Sequence, residues 1–241
     1  MAKTTRPAYK RIVLKLSGEA LCKPKGFGLD ADELARIAGE IRLVRQAGVE
    51  VGIVVGGGNF LRGAAASKKA NLPEATAHHM GMLATVINAL ALQAALEAAG
   101  VEVRVMSSIA IAAVCEPYDR RRCLRHFAKK RVVILAAGMG RPFVTTDTAA
   151  ALAALETGAD ALLKATKVDG VYSADPVKDP NAKLYRRLGY DQVIDERLGV
   201  MDLSAVDLCR QKKVPLRVFS MNKPGNMKKV VLGSDVGTTV S

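Results

Sequence analysis

Residues 49–63 read VEVGIVVGGGNFLRG, an apolar run that ends in three glycines. The β-branched residues between positions 51 and 55 predict a strand that is buried on both faces of a parallel sheet. Glycines at the carboxyl end of such a strand let backbone N–H groups approach an anion closely, and the guanidinium group of Arg62 is suited to grip a phosphate. The stretch therefore favours a phosphate-binding α/β protein, although a plain strand-to-helix turn uses the same glycines.

Strand-like and helix-like segments alternate along the rest of the chain. Strands are predicted at residues 11–16, 49–55, 101–105, 131–136, 161–165, 215–220 and 237–240. Helices are predicted at residues 30–46, about 79–98, 119–129, 147–158, 191–197 and 203–212, and a hairpin around an Asp-Gly turn at residues 168–172. We expect an α/β fold with a mainly parallel sheet, helices on both faces and ligands at the strand carboxyl ends.

The predicted helix at residues 79–98 is apolar around most of its circumference. One face carries Met80, Leu83, Ile87 and Leu90, and the other carries Met82, Val86, Ala89 and Leu96. A helix that is apolar all round is buried on both sides. We expect the first face to pack in the core and the second to contact another subunit, although burial of both faces within one chain fits nearly as well.

Composition limits the classes of protein and of partner. The chain has 241 residues, of which 49% are apolar, so it can bury a full core. It has no run of eighteen apolar residues and no signal-peptide pattern, so we expect a cytoplasmic protein with no membrane partner. The four cysteines lack metal-site spacing and are expected to be reduced. The net charge of +13 allows a nucleic-acid partner, but dispersed basic residues and the lack of tryptophan favour small anionic substrates.

Phosphate-suited groups lie at the ends of three of the predicted strands or in the turns after them. They are Lys15 with Gly18, Gly57 and Gly58 with Arg62, and Thr145, Thr146 and Asp147. Ordinary structural roles explain the same residues: a lysine at position 15 can extend to the surface, and an acid at position 147 is stabilised by the helix dipole. The P-loop, protein-kinase and nucleophile-elbow motifs are absent. Phosphoryl transfer needs mainly positioning and positive charge, so the pattern favours a small-molecule kinase in which Asp147 orients a lysine or holds magnesium.

Several motifs together resemble the bacterial uridylate kinases of the amino acid kinase family. These motifs are KRIVLKLSGEAL, GGGNFLRG, HMGMLATVINAL, FVTTDTAAAL, LKATKVDGVYSADP, VMDL and MNKPG, and they span almost the whole chain. The resemblance implies a three-layer α/β/α sandwich and transfer of the γ-phosphate of ATP, with Mg²⁺, to UMP in pyrimidine nucleotide biosynthesis. It also implies a homohexamer that GTP activates and UTP inhibits.

The resemblance assigns roles to individual residues. Residues 1–241 would form one domain, with the acceptor and phosphate loops in about 1–160 and the ATP nucleoside site in about 161–241. The ATP phosphates and the group in transit would be held by Lys15, Leu16, Ser17, Gly18, Gly58 and Arg62, with Lys15, Arg62 and Asp147 catalytic. The ATP nucleoside would contact Thr166, Tyr172 and Asp175, and UMP would contact Gly57, Gly140, Pro142, Phe143, Thr145 and Thr146. The allosteric segment would be Lys23, Pro24, Lys25, Gly26, Phe27 and Gly28.

The sequence departs from the family pattern in the acceptor pocket. His78 stands where the family has aspartate, Met139 where it has threonine and Arg141 where it has asparagine, and Val144 belongs to the same pocket. These positions would read the ribose and base of the acceptor. Two alternatives to a uridylate kinase therefore stay open, a kinase of the same fold with another acceptor and a non-catalytic protein that binds nucleotides or oxyanions.

Overall fold

A computed structural model describes residues 6–24, 26–61 and 72–241. Within these residues, nine strands form one sheet in the order β4-β3-β5-β2-β1-β6-β10-β11-β9, and β7 and β8 form a separate antiparallel pair. The strands are β1 (Arg11–Leu16), β2 (Glu50–Val55), β3 (Val103–Ser107), β4 (Glu116–Pro117), β5 (Val132–Ala136), β6 (Ala161–Thr166), β7 (Val171–Tyr172), β8 (Leu184–Tyr185), β9 (Arg187–Leu188), β10 (Leu216–Ser220) and β11 (Thr238–Val240). Neighbours in the large sheet are parallel except for β10 and β11, which are antiparallel.

Helices cover both faces of this sheet. They are α1 (Ala31–Gln46), α2 (Glu74–Ala98), α3 (Arg120–Ala128), α4 (Thr146–Thr157), α5 (Tyr190–Asp195), α6 (Leu203–Lys212) and α7 (Asn226–Val231). Alternate residues of β1 divide between two cores: Ile12 and Leu14 pack with α1, α2 and α7, while Val13 packs with α3 to α6. The predicted α/β class is confirmed, as a three-layer α/β/α sandwich around a mainly parallel sheet.

Local signals set several helix boundaries. The side chain of Asp30 accepts hydrogen bonds from the N–H groups of Asp32 and Glu33, both at 3.1 Å, so α1 begins at residue 31. Thr145 caps α4 in the same way, and Gly158 ends α4 with a left-handed φ of 65°. The N-terminus of α4 therefore has a defined place at the carboxyl edge of the sheet.

Three expectations from the sequence are corrected. The second long helix begins at Glu74 rather than near residue 79. Residues 168–172 do not form a hairpin by themselves, because β7 pairs with β8, twelve residues later in the chain. The two faces of α2 are also reversed relative to the prediction.

The face of α2 that contains Met82, Val86, Ala89 and Leu96 is buried, while Met80, Leu83 and Ile87 are 41%, 49% and 48% exposed. By length and composition α2 could span a membrane, but 44% of its apolar window is buried inside the protein. Because that buried face packs on the sheet, α2 is a core helix of the α/β fold.

Candidate active site

Two lysines lie side by side at the carboxyl edge of the sheet. The parallel register of β1 and β6 pairs Lys15 with Lys164. Val13 and Leu162, two positions earlier on the two strands, belong to the core under α4, so both lysines lie on that face. Lys15 is only 8% exposed. Two ammonium groups so close together in a poorly hydrated place repel each other and require a countercharge.

Asp147 provides this countercharge from the first turn of α4. Its Oδ1 atom lies 2.7 Å from Nζ of Lys15, and its Oδ2 atom lies 2.7 Å from Nζ of Lys164. Burial alone raises the pKa of Asp147, but the two ammonium groups outweigh burial and lower this pKa below its ordinary value of 3.8. Burial lowers the pKa of Lys164 below 10.5, and Asp147 opposes that change. The three side chains form an ion-paired group with a net charge of +1.

The start of α4 is held in place by hydrogen bonds on both sides of Asp147. The hydroxyl of Thr145 accepts from the N–H groups of Asp147 and Thr148, at 3.1 and 3.2 Å, and donates to Asp202. Asp202 also accepts from the Thr148 hydroxyl at 2.9 Å and from the N–H of Ala205 at 2.8 Å. Asp202 therefore caps α6 and ties it to α4, so that the Asp147 carboxylate has a fixed position.

The glycines after β2, and Gly18 in the turn after β1, differ in their roles. A Cβ atom on Gly57 would lie 2.7 Å from the carbonyl oxygen of Gly81 in α2, and a Cβ on Gly18 would lie 2.7 Å from the carbonyl oxygen of Gly56. Close packing therefore requires glycine at these two positions. A Cβ on Gly58 would meet nothing closer than 3.9 Å. Among the described residues, the N–H groups of Gly57 and Gly58 have no hydrogen-bond partner, an arrangement that suits the binding of an anion.

A large cavity lies on one side of the lysines. Its volume is about 540 Å³, and its lining includes Lys164, Thr166, Gly170, Tyr172, Asp175 and Arg197. The predicted nucleoside contacts Thr166, Tyr172 and Asp175 therefore all line one cavity, and Lys164 connects this cavity to Asp147. Its size suits a nucleoside.

A smaller cavity lies on the other side, between the glycine loop, α2 and the loop after β5. Its volume is about 170 Å³, and its lining includes Gly57, His78, Met139, Arg141, Val144 and Thr146. All the positions at which the sequence departs from the family pattern thus meet around one cavity. The rings of His78 and Phe143 contact each other at its mouth, with centroids 4.9 Å apart.

The loop after β5 has an unusual backbone. Ala137 and Phe143 have left-handed φ values of 63° and 65°, and Gly138 and Gly140 are also left-handed. Left-handed conformations cost free energy at residues other than glycine, and such residues cluster at binding sites. Gly140 packs so tightly that a Cβ there would lie 2.8 Å from the carbonyl oxygen of Ser108. The loop lies beside the smaller cavity, with Pro142, Phe143 and Thr145 along its outer part.

The segment at residues 23–28 lies beside the glycine loop. Gly28 donates from its N–H to the carbonyl oxygen of Asn59 at 3.1 Å, and the ring of Phe27 contacts the ring of Phe60 with centroids 5.6 Å apart. The Phe27 side chain is otherwise exposed, at 77%. Lys23 pairs with Asp30 at 3.4 Å. Pro24 and Gly26 belong to the same segment, whereas Lys25 lies outside the described residues.

Sequence reasoning missed two residues of the site, and two residues that it named, Lys25 and Arg62, lie outside the described residues. Lys164 was assigned no role, although a lysine in the apolar run ALLKAT is as unusual as Lys15 in RIVLKL. Asp202, in the VMDL motif, was also assigned no role. Leu16, Ser17 and Gly18 directly follow Lys15, and Gly18–Leu21 forms a short 3-10 helix beside the glycine loop.

The described residues contain no cluster of three or more metal-ligating side chains. Asp147 Oδ1 accepts no hydrogen bond of regular geometry, but the Lys15 ammonium group already lies 2.7 Å from it. Because both carboxylate oxygens face ammonium groups, Asp147 is poorly placed to hold magnesium.

We expect the ion pairs of Asp147 to stabilise the fold in a pH-dependent way. Replacing Asp147 by Asn leaves two buried ammonium groups unpaired and should lower the free energy of unfolding by about 3 kcal/mol at pH 7. Because the pKa of Asp147 is lower in the folded protein, this stabilisation is complete above the unfolded pKa of about 4 and is lost as the pH falls through the folded pKa. Urea unfolding between pH 3 and 7 measures it.

The exposed Asp235, changed to Asn, is the matched control and should have almost no effect. A loss of stability in Asp147→Asn that stays constant down to pH 3 would contradict the ion-pair account.

Comparison with known proteins agrees with this geometry. The profile of the amino acid kinase family matches residues 10–220. The chain is 58% identical to the uridylate kinase of Methylococcus capsulatus over 234 residues, which cover 97% of this chain and 98% of the relative. It is 54% identical to the uridylate kinase of Pseudomonas aeruginosa over 235 residues, which cover 98% and 96%.

Solved structures give the same result. The UMP kinase of Bacillus anthracis superposes with a TM-score of 0.93 at 41% identity, over 97% of this chain and 96% of that one. The UMP kinase of Ureaplasma parvum superposes with a TM-score of 0.90 at 34% identity, over 96% and 98%. Since both the profile and the relatives span nearly the whole chain, the protein belongs to the amino acid kinase family.

Proposed function

We propose that this protein transfers the γ-phosphate of ATP to UMP, giving ADP and UDP. The observation that carries the proposal is the position of the Lys15-Asp147-Lys164 group between two cavities. Lys164 lines the cavity suited to the ATP nucleoside, and Thr146, next to Asp147, lines the smaller cavity, which suits the acceptor. The high identity to uridylate kinases over nearly the whole chain supports UMP as that acceptor.

In this mechanism the protein positions the two phosphates and neutralises charge. ATP lies with its nucleoside in the larger cavity, and the N–H groups of Gly57 and Gly58 bind phosphate oxygens. The ammonium groups of Lys15 and Lys164 stabilise the negative charge on the phosphoryl group in flight, and Asp147 holds both lysines at the right separation. Magnesium, bound to the ATP phosphates, would supply further positive charge, and Arg62 is expected to contribute a guanidinium group.

No general base is needed for this reaction. The attacking group is a phosphate oxygen of UMP, which is largely ionised at pH 7 because its second pKa is about 6. Asp147 could not act as an efficient base, since its pKa is lowered and both of its oxygens contact ammonium groups. We therefore propose that Asp147 organises the lysines.

The main alternative is a kinase of this fold with a different acceptor. It is favoured by His78, Met139 and Arg141, which line the acceptor cavity and depart from the family pattern. A non-catalytic binding protein is disfavoured, because mere binding does not require a buried lysine pair with its own countercharge. A panel of nucleoside monophosphates with Mg-ATP, followed by coupled detection of ADP, distinguishes these alternatives.

We also propose the regulation, assembly and location that the family resemblance implies. Residues 1–241 would act as one cytoplasmic domain within a homohexamer. GTP activation would act through residues 23–28, which contact the glycine loop through Asn59. UTP would inhibit by occupying the acceptor cavity. The exposed stripe formed by Met80, Leu83 and Ile87 on α2 supports a dimer within the hexamer, because paired stripes would bury each other.

We expect Lys15→Met and Asp147→Asn to abolish transfer. Lys15→Met removes positive charge beside the transferred group, and Asp147→Asn removes the carboxylate that holds the two lysines in position. In each variant kcat should fall at least about 100-fold, a change of about 2.7 kcal/mol in activation free energy. Lys10→Met, on an exposed lysine just before β1, is the control and should keep normal kcat. If either site variant retained more than about a tenth of kcat while remaining folded, its proposed role would be wrong.

We expect the double variant His78→Asp with Met139→Thr to lower KM for UMP with little change in kcat. An aspartate can accept hydrogen bonds from ribose hydroxyls, and a charged hydrogen bond contributes about 1.5–3 kcal/mol. His79→Asp is a suitable control, because His79 is exposed and lies one position along α2. An unchanged KM in the double variant contradicts this role of the pocket, and a wild type that prefers an acceptor other than UMP contradicts the proposed function.

We expect Leu83→Glu to reduce the size of the oligomer. A buried glutamate pair at a self-contact costs several kcal/mol, whereas the folded monomer tolerates a charge at this exposed position. Analytical ultracentrifugation of the variant should show smaller species with an unchanged melting temperature. Ala98→Glu, at the end of α2, should keep the wild-type mass, and Val86→Glu should instead unfold the chain because Val86 is buried. A wild-type protein that is monomeric at micromolar concentration would exclude the assembly.

A further inference from the structure

The buried face of α2 carries two polar side chains among apolar ones. Thr85 is 3% exposed and Asn88 is completely buried. Burying such groups costs free energy unless they find hydrogen-bond partners. Both residues find partners in loops of the active site, so α2 can hold those loops in place as well as fill the core.

Asn88 forms a reciprocal amide pair with Asn59. The Nδ2 atom of Asn88 donates to Oδ1 of Asn59 at 2.7 Å, and Nδ2 of Asn59 donates to Oδ1 of Asn88 at 2.9 Å. Each amide has one more N–H, which goes to a main-chain oxygen: Asn88 donates to Gly56 and Asn59 donates to Gly28, both at 2.7 Å. Both amides use all their donors, so the pair has one fixed arrangement.

This pair lies at the centre of the phosphate-binding region. Gly56 and Asn59 flank the N–H groups of Gly57 and Gly58, which the proposed function assigns to phosphate. A Cβ on Gly18 would lie 2.5 Å from Oδ1 of Asn59, so the turn after β1 packs directly on the pair. Asn88 thereby fixes the glycine loop, the turn after Lys15 and the end of the segment at residues 23–28.

Thr85 holds the loop after β5 in place. Its hydroxyl accepts a hydrogen bond from the N–H of Ala137 at 2.7 Å and donates to the carbonyl oxygen of Met82 at 2.7 Å. Ala137 has a left-handed φ and begins the loop that lines the acceptor cavity. The bond therefore supports an unfavourable backbone conformation at the base of that loop.

We propose that Thr85 and Asn88, with Asn59, are positioning residues. They hold the loop after β5 (residues 137–145) and the glycine loop (residues 56–61) at a fixed separation along α2. Thr85 and Asn88 are three residues apart, about 4.5 Å along one helix face. Asn59 and Asn88 line neither cavity. Thr85 forms part of the wall of the acceptor cavity, but its hydroxyl is already bonded to Ala137 and Met82, so it too acts through the main chain of a loop. The proposal rests on the proposed function for its kinetic consequences, but its structural consequences do not depend on the reaction.

The kinetic test compares variants of similar shape. Thr85→Val should raise KM for UMP at least about fivefold, the effect of losing one hydrogen bond, with kcat and KM for ATP within about twofold of wild type. Asn88→Leu should instead lower kcat at least about tenfold, because the glycine loop loses three hydrogen bonds. Thr85→Ser, which keeps the hydroxyl, should restore wild-type constants, and Gln93→Leu, at a partly exposed position of α2, is the control.

The structural test uses amide hydrogen exchange of the protein without nucleotide. Thr85→Val should speed exchange at least about fivefold in residues 137–145 but not in residues 56–61, and Asn88→Leu should do the reverse. If Asn88→Leu does not fold, the comparison of Thr85→Val with Thr85→Ser still tests the proposal. Equal effects on both loops, or no effect on either, would overturn the proposal. A wild type that failed to phosphorylate UMP would overturn the proposed function while this exchange pattern still supported the positioning role.

Discussion

The repulsion between two neighbouring lysines is the constraint on which the site depends. Parallel pairing of β1 with β6 brings Lys15 and Lys164 together on a poorly hydrated face of the sheet. Such a pair is stable only with a countercharge between the two ammonium groups, and Asp147 contacts both. In the proposed mechanism this cationic group stabilises the transferred phosphoryl group, so the feature that requires compensation in the free protein would also serve catalysis.

Two helices bring the rest of the site to this group. The N-terminus of α4 carries Asp147 and is tied to α6 by Asp202, while α2 holds the loops that border the acceptor cavity through Thr85 and Asn88. Because α2 also presents an exposed apolar stripe on its opposite face, the proposed subunit contact and the loop hydrogen bonds would lie on the same helix. A contact between subunits at Leu83 or Ile87 would lie within two turns of these buried hydrogen bonds.

The sequence predicts the fold class and much of the site, because β-branched runs, glycine turns and cap residues are local signals. Lys15 and Asp147 could be predicted to converge, since Lys15 lies at the carboxyl end of one strand and Asp147 lies in the first turn of the helix after the loop that follows another. Lys164 was missed because its role depends on which strand lies beside β1, and strand order is not a local property. The faces of α2 were reversed for a similar reason: a helix apolar all round does not indicate which side meets the sheet. Likewise, the distant partner of β7 left no signal near residues 168–172.

The central claim is that both lysines contact the phosphoryl group in flight while Asp147 contacts only the lysines. The most direct measurement is a crystal structure with ADP, UMP and a planar aluminium fluoride mimic of that group. The account predicts that Nζ of Lys15 and Nζ of Lys164 both lie within about 3.2 Å of the mimic and that Asp147 still bridges them. A mimic bound away from either lysine, or in direct contact with the Asp147 carboxylate, would contradict it.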